Sequence, residues 1–234
     1  METPKMGDTV ITALAYPKGS PGRVKVFLNG RFSFTLTRSL AEEARLSVGE
    51  FVSPQQVEAL RGKDVLCACR EAALRLFSYR PQSQKELAAK LGRRFDPEVV
   101  EQTLASLRAQ GLVDDAAFAR FWAENRQSHR PRGCRLLKTE LRLKGVATEI
   151  VEETVKGLDD EEGAYRAGQK KARTLDGSDF AGFQRRLGNF LLRRGFGYQV
   201  SRLTVDRLWQ EGQVGPAQGN EAGLSQAPLR RQAR

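Results

Sequence analysis

The chain has 234 residues, of which 40% are hydrophobic and 29% charged, and its 39 Lys and Arg against 28 Asp and Glu leave a formal net charge of +11. A pI near 9.9 favours polyanionic partners over neutral ones. No stretch approaches the roughly 20 apolar residues of a membrane span, and "METPKMGDTV" lacks the apolar core of a signal peptide, so a cytoplasmic chain with no membrane partner is expected. Mean hydropathy of −0.49 suits an array of small modules better than one large globule. Cys67, Cys69 and Cys134 cannot all pair with one another, which fits a reducing compartment and structural thiols. With His129 as the single histidine, no metal site and no cofactor are expected.

Residues 9 to 36 read as strands. "TVITALAY" is rich in β-formers, and "PKGSPG" breaks it. "RVKVFL" and "RFSFTL" alternate on either side of Asn29-Gly30, a hairpin signal because a type I′ turn needs positive φ at both central residues. Phe27 and Phe32 flank that turn as candidate cross-strand partners. "RSLAEEARL" predicts a short helix, Gly49 a break, and Ser53-Pro54 an N-cap followed by proline at the first helical position.

From there to Leu208 the periodicity is helical and divides into three. The first unit has a helix over 64–79, with Leu66, Ala73, Leu74 and Phe77 inward. Ser83 caps a second helix, with Glu86 completing a capping box, and Asp96-Pro97 opens a third carrying Val99, Val100, Leu104 and Leu107. The second unit has helices over about 116–127, 134–144 and 148–156, and the third over about 162–175, 180–194 and 198–209. "LRLKGVATEIVEETVKGL" (141–158) and "LLRRGFGYQVSRLTVDRL" (191–208) share leucine, glycine and Thr-Val positions fifty residues apart, and "SYRPQS" matches "SHRPRG". The expected fold is therefore mainly α, an elongated array of three tandem three-helix units preceded by a small N-terminal β-hairpin or sheet element. The expected boundaries are 1–62, 63–114, 115–161 and 162–210, with 211–234 a disordered tail rich in Gly, Gln, Ala and Pro.

No phosphate-binding glycine loop, metal-ligand spacing or nucleophile motif is present, so no catalytic residue is assigned. The acidic run 159–162 begins a helix, where negative charge suits the dipole. Basic residues carry more information. Each unit has a basic pair near the end of its second helix: Arg93 and Arg94, Arg142 and Lys144, Arg193 and Arg194. Cations there complement the macrodipole by roughly 0.3–1 kcal/mol each. More cluster nearby: Arg126, Arg130, Arg132, Arg135 and Lys138 around the second unit's first break, Lys170, Lys171, Arg173, Arg185 and Arg186 around the third's. Residues 163–210 hold ten Lys and Arg against three Asp and Glu. The resulting candidate binding set is Arg130, Arg132, Arg135, Arg142, Lys144, Arg185, Arg186, Arg193 and Arg194. Most aromatic residues sit at core spacing, whereas Tyr79 and Tyr198 lie near breaks as candidate surface contacts.

"EAALRLFSYRPQSQKELAAKL", "LASLRAQGLVDDAAFARFWAENR", "ELRLKGV" and "FLLRRGF" resemble the RecX regulatory proteins of bacteria, with "GLVDDAAFARF" the most specific stretch. The resemblance spans roughly residues 64–209. It implies a non-catalytic monomer that binds the RecA recombinase, lies in the groove of the RecA–DNA filament, and inhibits ATP hydrolysis, filament growth and strand exchange, with direct DNA contact. On that reading, reversing Arg193 and Arg194 to glutamate is expected to weaken inhibition without unfolding the chain. A DNA-binding regulator is the alternative, since "KELAAKLGRRFDPEVVEQTLASLRAQGLVDD" has a helix-turn-helix look. However, its third helix carries Glu98 and Glu101 where a groove-reading helix needs cations. A nuclease would need an acidic or histidine cluster that the sequence lacks.

Overall fold

Asn29 and Gly30 have φ of 48° and 77°, as a type I′ turn requires, and join β2 (Arg23–Leu28) to β3 (Arg31–Thr37). Phe27 and Phe32 are register partners across that pair, with ring centroids 5.9 Å apart at 73°. The structure, a computed structural model, describes residues 9–19, 22–175 and 179–213. With β1 (Thr9–Ala15) and β4 (Phe51–Val52), the strands form an antiparallel sheet of order β3-β2-β1-β4. The sequence pattern missed β4, because two residues carry no period. The short helix α1 (Arg38–Glu43) follows β3 as expected.

Helix α2 (Pro54–Phe77) opens with a full capping box: Ser53 Oγ accepts from the Gln56 amide and Gln56 Oε1 accepts from the Ser53 amide. It then runs unbroken for 24 residues through Gly62 and across the boundary expected at 62/63. A mid-helix glycine costs about 1 kcal/mol relative to alanine, and packing at both ends outweighs it. The first half (Val57, Leu60) covers Ile11, Val26, Phe34 and Leu36 of the sheet, and the second half (Cys69, Ala73) joins the first helical core. Leu74, expected inward, is exposed.

Asp64 ties the halves together. Its carboxylate accepts from both Arg23 guanidinium nitrogens at 3.1 and 2.9 Å and from the Thr37 amide at 2.5 Å. Asp64→Ala leaves that buried amide without its acceptor, and a loss of about 2–3 kcal/mol in urea denaturation is expected; an unchanged midpoint would show that the contact carries no stability.

The remaining helices are α3 (Gln84–Leu91), α4 (Pro97–Ala109), α5 (Asp115–His129), α6 (Cys134–Leu143), α7 (Thr148–Lys156), α8 (Asp160–Ala172), α9 (Phe180–Arg193) and α10 (Tyr198–Gln213). They form the three expected triples. Leu87, Leu137 and Leu187, fifty residues apart, are each 0% exposed, and Leu91, Leu141 and Leu191 are buried likewise. Helix α10 continues three residues past the expected end at 210. The expected tail beyond it, and residues 176–178 of the "DGSD" linker, lie outside the described residues.

By packing the chain divides into two units. One draws on Met1–Ser128 and Leu137–Leu158, the other on His129–Leu136 and Asp159–Arg234. The first holds the sheet, its core, and the cores of the first two triples, centred on Leu87, Leu104 and Leu107 and on Phe118, Leu141 and Val151. The second holds the third triple, centred on Ala164, Leu187, Leu191, Phe196 and Val205. The loop after α5 and the first turn of α6 belong to this second unit.

Candidate polyanion-binding site

The repeats meet through a recurring device built from paired aspartates. In the first unit, Asp114 Oδ1 caps its own helix, accepting from the Ala116 and Ala117 amides at 2.8 and 3.0 Å. Asp115 instead caps the preceding repeat, accepting from the Gln84 amide at the start of α3 at 2.8 Å. In the second unit Asp159 caps α8 through the Glu161 and Glu162 amides, and Asp160 accepts from the Cys134 amide at the start of α6 at 2.9 Å. The acidic run 159–162 thus does more than complement one dipole. Removing that acceptor as Asp115→Ala is expected to cost about 1–2 kcal/mol at the first junction; equal urea midpoints for the two chains would contradict it.

At the first junction, within the first unit, Ser83 Oγ accepts from the Glu86 amide at 3.1 Å and donates to the Lys144 carbonyl at 2.7 Å. The N-terminus of α3 therefore faces the C-terminus of α6, a favourable pairing of opposite dipole ends. Glu86 does not turn back to the Ser83 amide as a capping box predicts. It takes Arg80 at 3.0 Å and Lys144 at 2.5 Å. Burial alone would raise the Glu86 carboxyl, but the hydrogen bonds and charges of Arg80 and Lys144 outweigh it and hold it at about 2. Lys144 Nζ also sits 4.0 Å from the Trp122 ring centroid, and Trp122 Nε1 donates to Glu140 at 2.8 Å.

At the second junction, within the second unit, the Gly133 amide donates to the Arg194 carbonyl at 2.9 Å. A Cβ on Gly133 would lie 2.3 Å from the Gly195 carbonyl oxygen, so only glycine allows this approach. The Arg194 guanidinium donates to the Pro131 carbonyl at 3.2 Å and lies 4.6 Å from the Phe190 ring centroid. Burial, and after it the like charge of Arg130, pushes the Arg194 guanidinium down. A hollow of about 400 Å³ opens here, lined by Arg130, Lys170, Lys171 and Arg194 with Phe190 and Thr174 among its other walls.

The nine residues chosen from the sequence differ in their surroundings. Lys144 is bound by Glu86, and Arg142 pairs with Glu152 at 3.0 Å beside a Lys138–Glu152 bond. Arg130 and Arg194 share the hollow. Arg185 lines a separate groove of about 290 Å³ between α9 and α10, with Tyr198 and Arg202. Arg135, Arg186 and Arg193 are exposed and Arg132 is half-buried. Arg194 is half-buried and bonded to Pro131, so reversing Arg193 and Arg194 together would also disturb the junction, contrary to the sequence expectation.

Two features lie outside the nine chosen residues, although the sequence singles out Lys170, Lys171, Arg93, Arg94 and Tyr79. Lys170 and Lys171 stand three and four residues beyond buried Ala167, a helical spacing that places them on its side of α8. In the first unit, Arg75, Tyr79, Lys90, Arg93 and Arg94 surround a hollow of about 440 Å³, with Tyr79 86% exposed.

Among the described residues no group of three or more His, Cys, Asp or Glu is placed to hold a metal ion, and no helix is long and apolar enough to cross a membrane. Models of the first, second and third three-helix domains of RecX match residues 69–107, 114–155 and 159–202, in that order. A Regulatory protein RecX from Chlorobium limicola is 39% identical over 141 residues, covering 60% of this chain and 89% of the relative. One from Streptomyces coelicolor is 33% identical over 164 residues, covering 68% and 87%. A crystal structure of regulatory protein RecX superposes with a TM-score of 0.64 at 21% identity, covering 85% of this chain and 99% of the other, and so shares the fold. With three domain models matched in order and relatives this similar over most of their own length, the chain belongs to the RecX family of regulatory proteins.

Proposed function

We propose that the chain is a non-catalytic cytoplasmic regulator that binds the RecA recombinase and its DNA filament and inhibits ATP hydrolysis, filament growth and strand exchange. The observation that carries this reading is the ordered match of all three RecX domains along one chain. The charge distribution supports it, because the excess of Lys and Arg over residues 163–210 suits a partner rich in phosphate and carboxylate. Inhibition needs no catalytic group. A monomer bound across the filament's subunits shifts them away from the active state by as much as its affinities for the two states differ. A DNA-binding regulator using α4 as a recognition helix is not favoured, since Glu98 and Glu101 are exposed on that helix.

Sedimentation with RecA filaments assembled on single-stranded DNA tests the reading. The chain is expected in the pellet with filaments and in the supernatant without them. A chain that stays in the supernatant at every RecA concentration would contradict it.

A further inference from the structure

We infer that the hollow at the second repeat junction is a phosphodiester-binding site, with Arg130, Lys170, Lys171 and Arg194 as its cationic walls. This deepens the regulator reading, on which it rests for the identity of the nucleic acid.

Arg80 and Lys144 at the first junction correspond, fifty residues on, to Arg130 and Arg194 at the second. The first pair is closed by one carboxylate, Glu86, which bonds both cations. The residue fifty positions beyond Glu86 is Leu136. The second junction therefore keeps both cations and loses the anion that neutralised them. It then adds two more, Lys170 and Lys171, from α8. Among the described residues no carboxylate lines the hollow and none of the four cations forms an ion pair. Four like charges around one concavity repel, and the arrangement is favourable only when an anion enters.

The geometry suits a phosphate-bearing strand. Arg194 is held by two neutral partners, the Pro131 carbonyl and the Phe190 ring. Its guanidinium is thus fixed in place with no carboxylate against it among the described residues, and an arginine fork so held binds phosphate oxygens with little loss of side-chain freedom. Lys170 is exposed and Lys171 half-buried, so two flexible ammonium groups can follow the anion. A volume of about 400 Å³ lies within the range of small-ligand sites. An acidic protein surface would offer single carboxylates, each satisfying one or two cations. A nucleic-acid strand carries one charge per ~3.4 Å of helix axis and meets several together.

The test measures anisotropy of a labelled single-stranded oligo-dT against the full chain over a salt series, for the wild type and for Lys170→Ala with Lys171→Ala. Alanine is a strong helix former and neither ammonium holds the fold, so the helical circular dichroism should match the wild type and the melting temperature should not fall below it. The double variant is expected to bind roughly tenfold more weakly, and its slope of log affinity against log salt to flatten by about 1.4, at about 0.7 per lost phosphate contact. The control removes two carboxylate-paired cations, Arg142→Ala with Lys156→Ala, and should move the slope far less. Arg130→Ala, on the opposite wall, should flatten the slope by about half as much as the lysine pair.

An unchanged slope in the lysine variant, or an equal loss in the control, would overturn the site. So would a lysine variant that keeps wild-type oligo-dT binding but no longer sediments with RecA filaments, because the hollow would then meet acidic protein. A wild type whose oligo-dT binding depends on the lysines but which never sediments with RecA filaments would leave the site standing and sink the regulator reading alone.

Discussion

Gly195→Ala is expected to destabilise the second unit by about 3–4 kcal/mol, while Gly188→Ala, seven residues earlier, stabilises it by up to about 1 kcal/mol. Gly195 has φ of +88°, and a Cβ there would lie 2.4 Å from the Leu136 Cβ and 2.6 Å from its amide nitrogen. The left-handed conformation costs a side chain about 1–2 kcal/mol. The overlap adds roughly 1–3 kcal/mol, because the atoms met belong to the first turn of α6, whose neighbouring Gly133 amide is bonded to the Arg194 carbonyl. Gly188 lies inside α9 with nothing within 4 Å of its Cβ position, so alanine there only restricts the unfolded chain. At roughly 2–4 °C per kcal/mol for a chain of this size, the two melting temperatures should separate by about 10 °C or more, in opposite directions from wild type. Equal melting temperatures would mean that the close approach of Gly195 to Leu136 contributes nothing to the stability of the second unit.

The second large effect is electrostatic. Glu86→Gln should lower stability at pH 7 by about 2–3 kcal/mol, because the carboxyl is held at about 2 against an ordinary value of 4.5. The carboxylate side chain is 18% exposed, so solvent screens the pair only in part. A depressed carboxyl stabilises the fold fully above its unfolded value, and the contribution is lost as pH falls from about 4.5 towards 2. Urea midpoints for the wild type should therefore fall across that window, while those of Glu86→Gln, already lower at pH 7, fall less. The variant also leaves Arg80 and Lys144 facing each other without a counter-charge. Parallel pH curves for the two chains would show that the Glu86 pairing contributes nothing to stability.

These two positions also show what the sequence could and could not reveal. Where information is local, it was legible. Asn29-Gly30 specified its turn, Ser53-Pro54 and Asp96-Pro97 marked helix starts, and the fifty-residue spacing of Leu91, Leu141 and Leu191 exposed the repeat. Gly145 and Gly195, the glycines that the two repeated stretches share, both have positive φ. The partner across each junction was not legible. Glu86 looked like a capping-box residue because Ser83 lies three positions before it, and only the fold brings Lys144, 58 positions away, onto its carboxylate.

The same blindness affected the basic residues. Arg142 and Lys144 look like Arg193 and Arg194 on the page, yet carboxylates occupy the first pair. At the second junction Leu136 stands where a carboxylate would be. Charge counts report how many cations a unit has, and the fold decides which remain uncompensated. The continuity of α2 was hidden for a related reason: Gly62 argues locally for a break, and the sheet and the first helical core together override it.

The proposed inhibition is open to direct test in the DNA-dependent ATP hydrolysis of RecA, titrated with this chain at low and at physiological salt. Dose-dependent inhibition that weakens as salt rises is expected, since cations at the interface supply part of the affinity. Hydrolysis unchanged at a chain concentration well above that of RecA, at both salts, would contradict it.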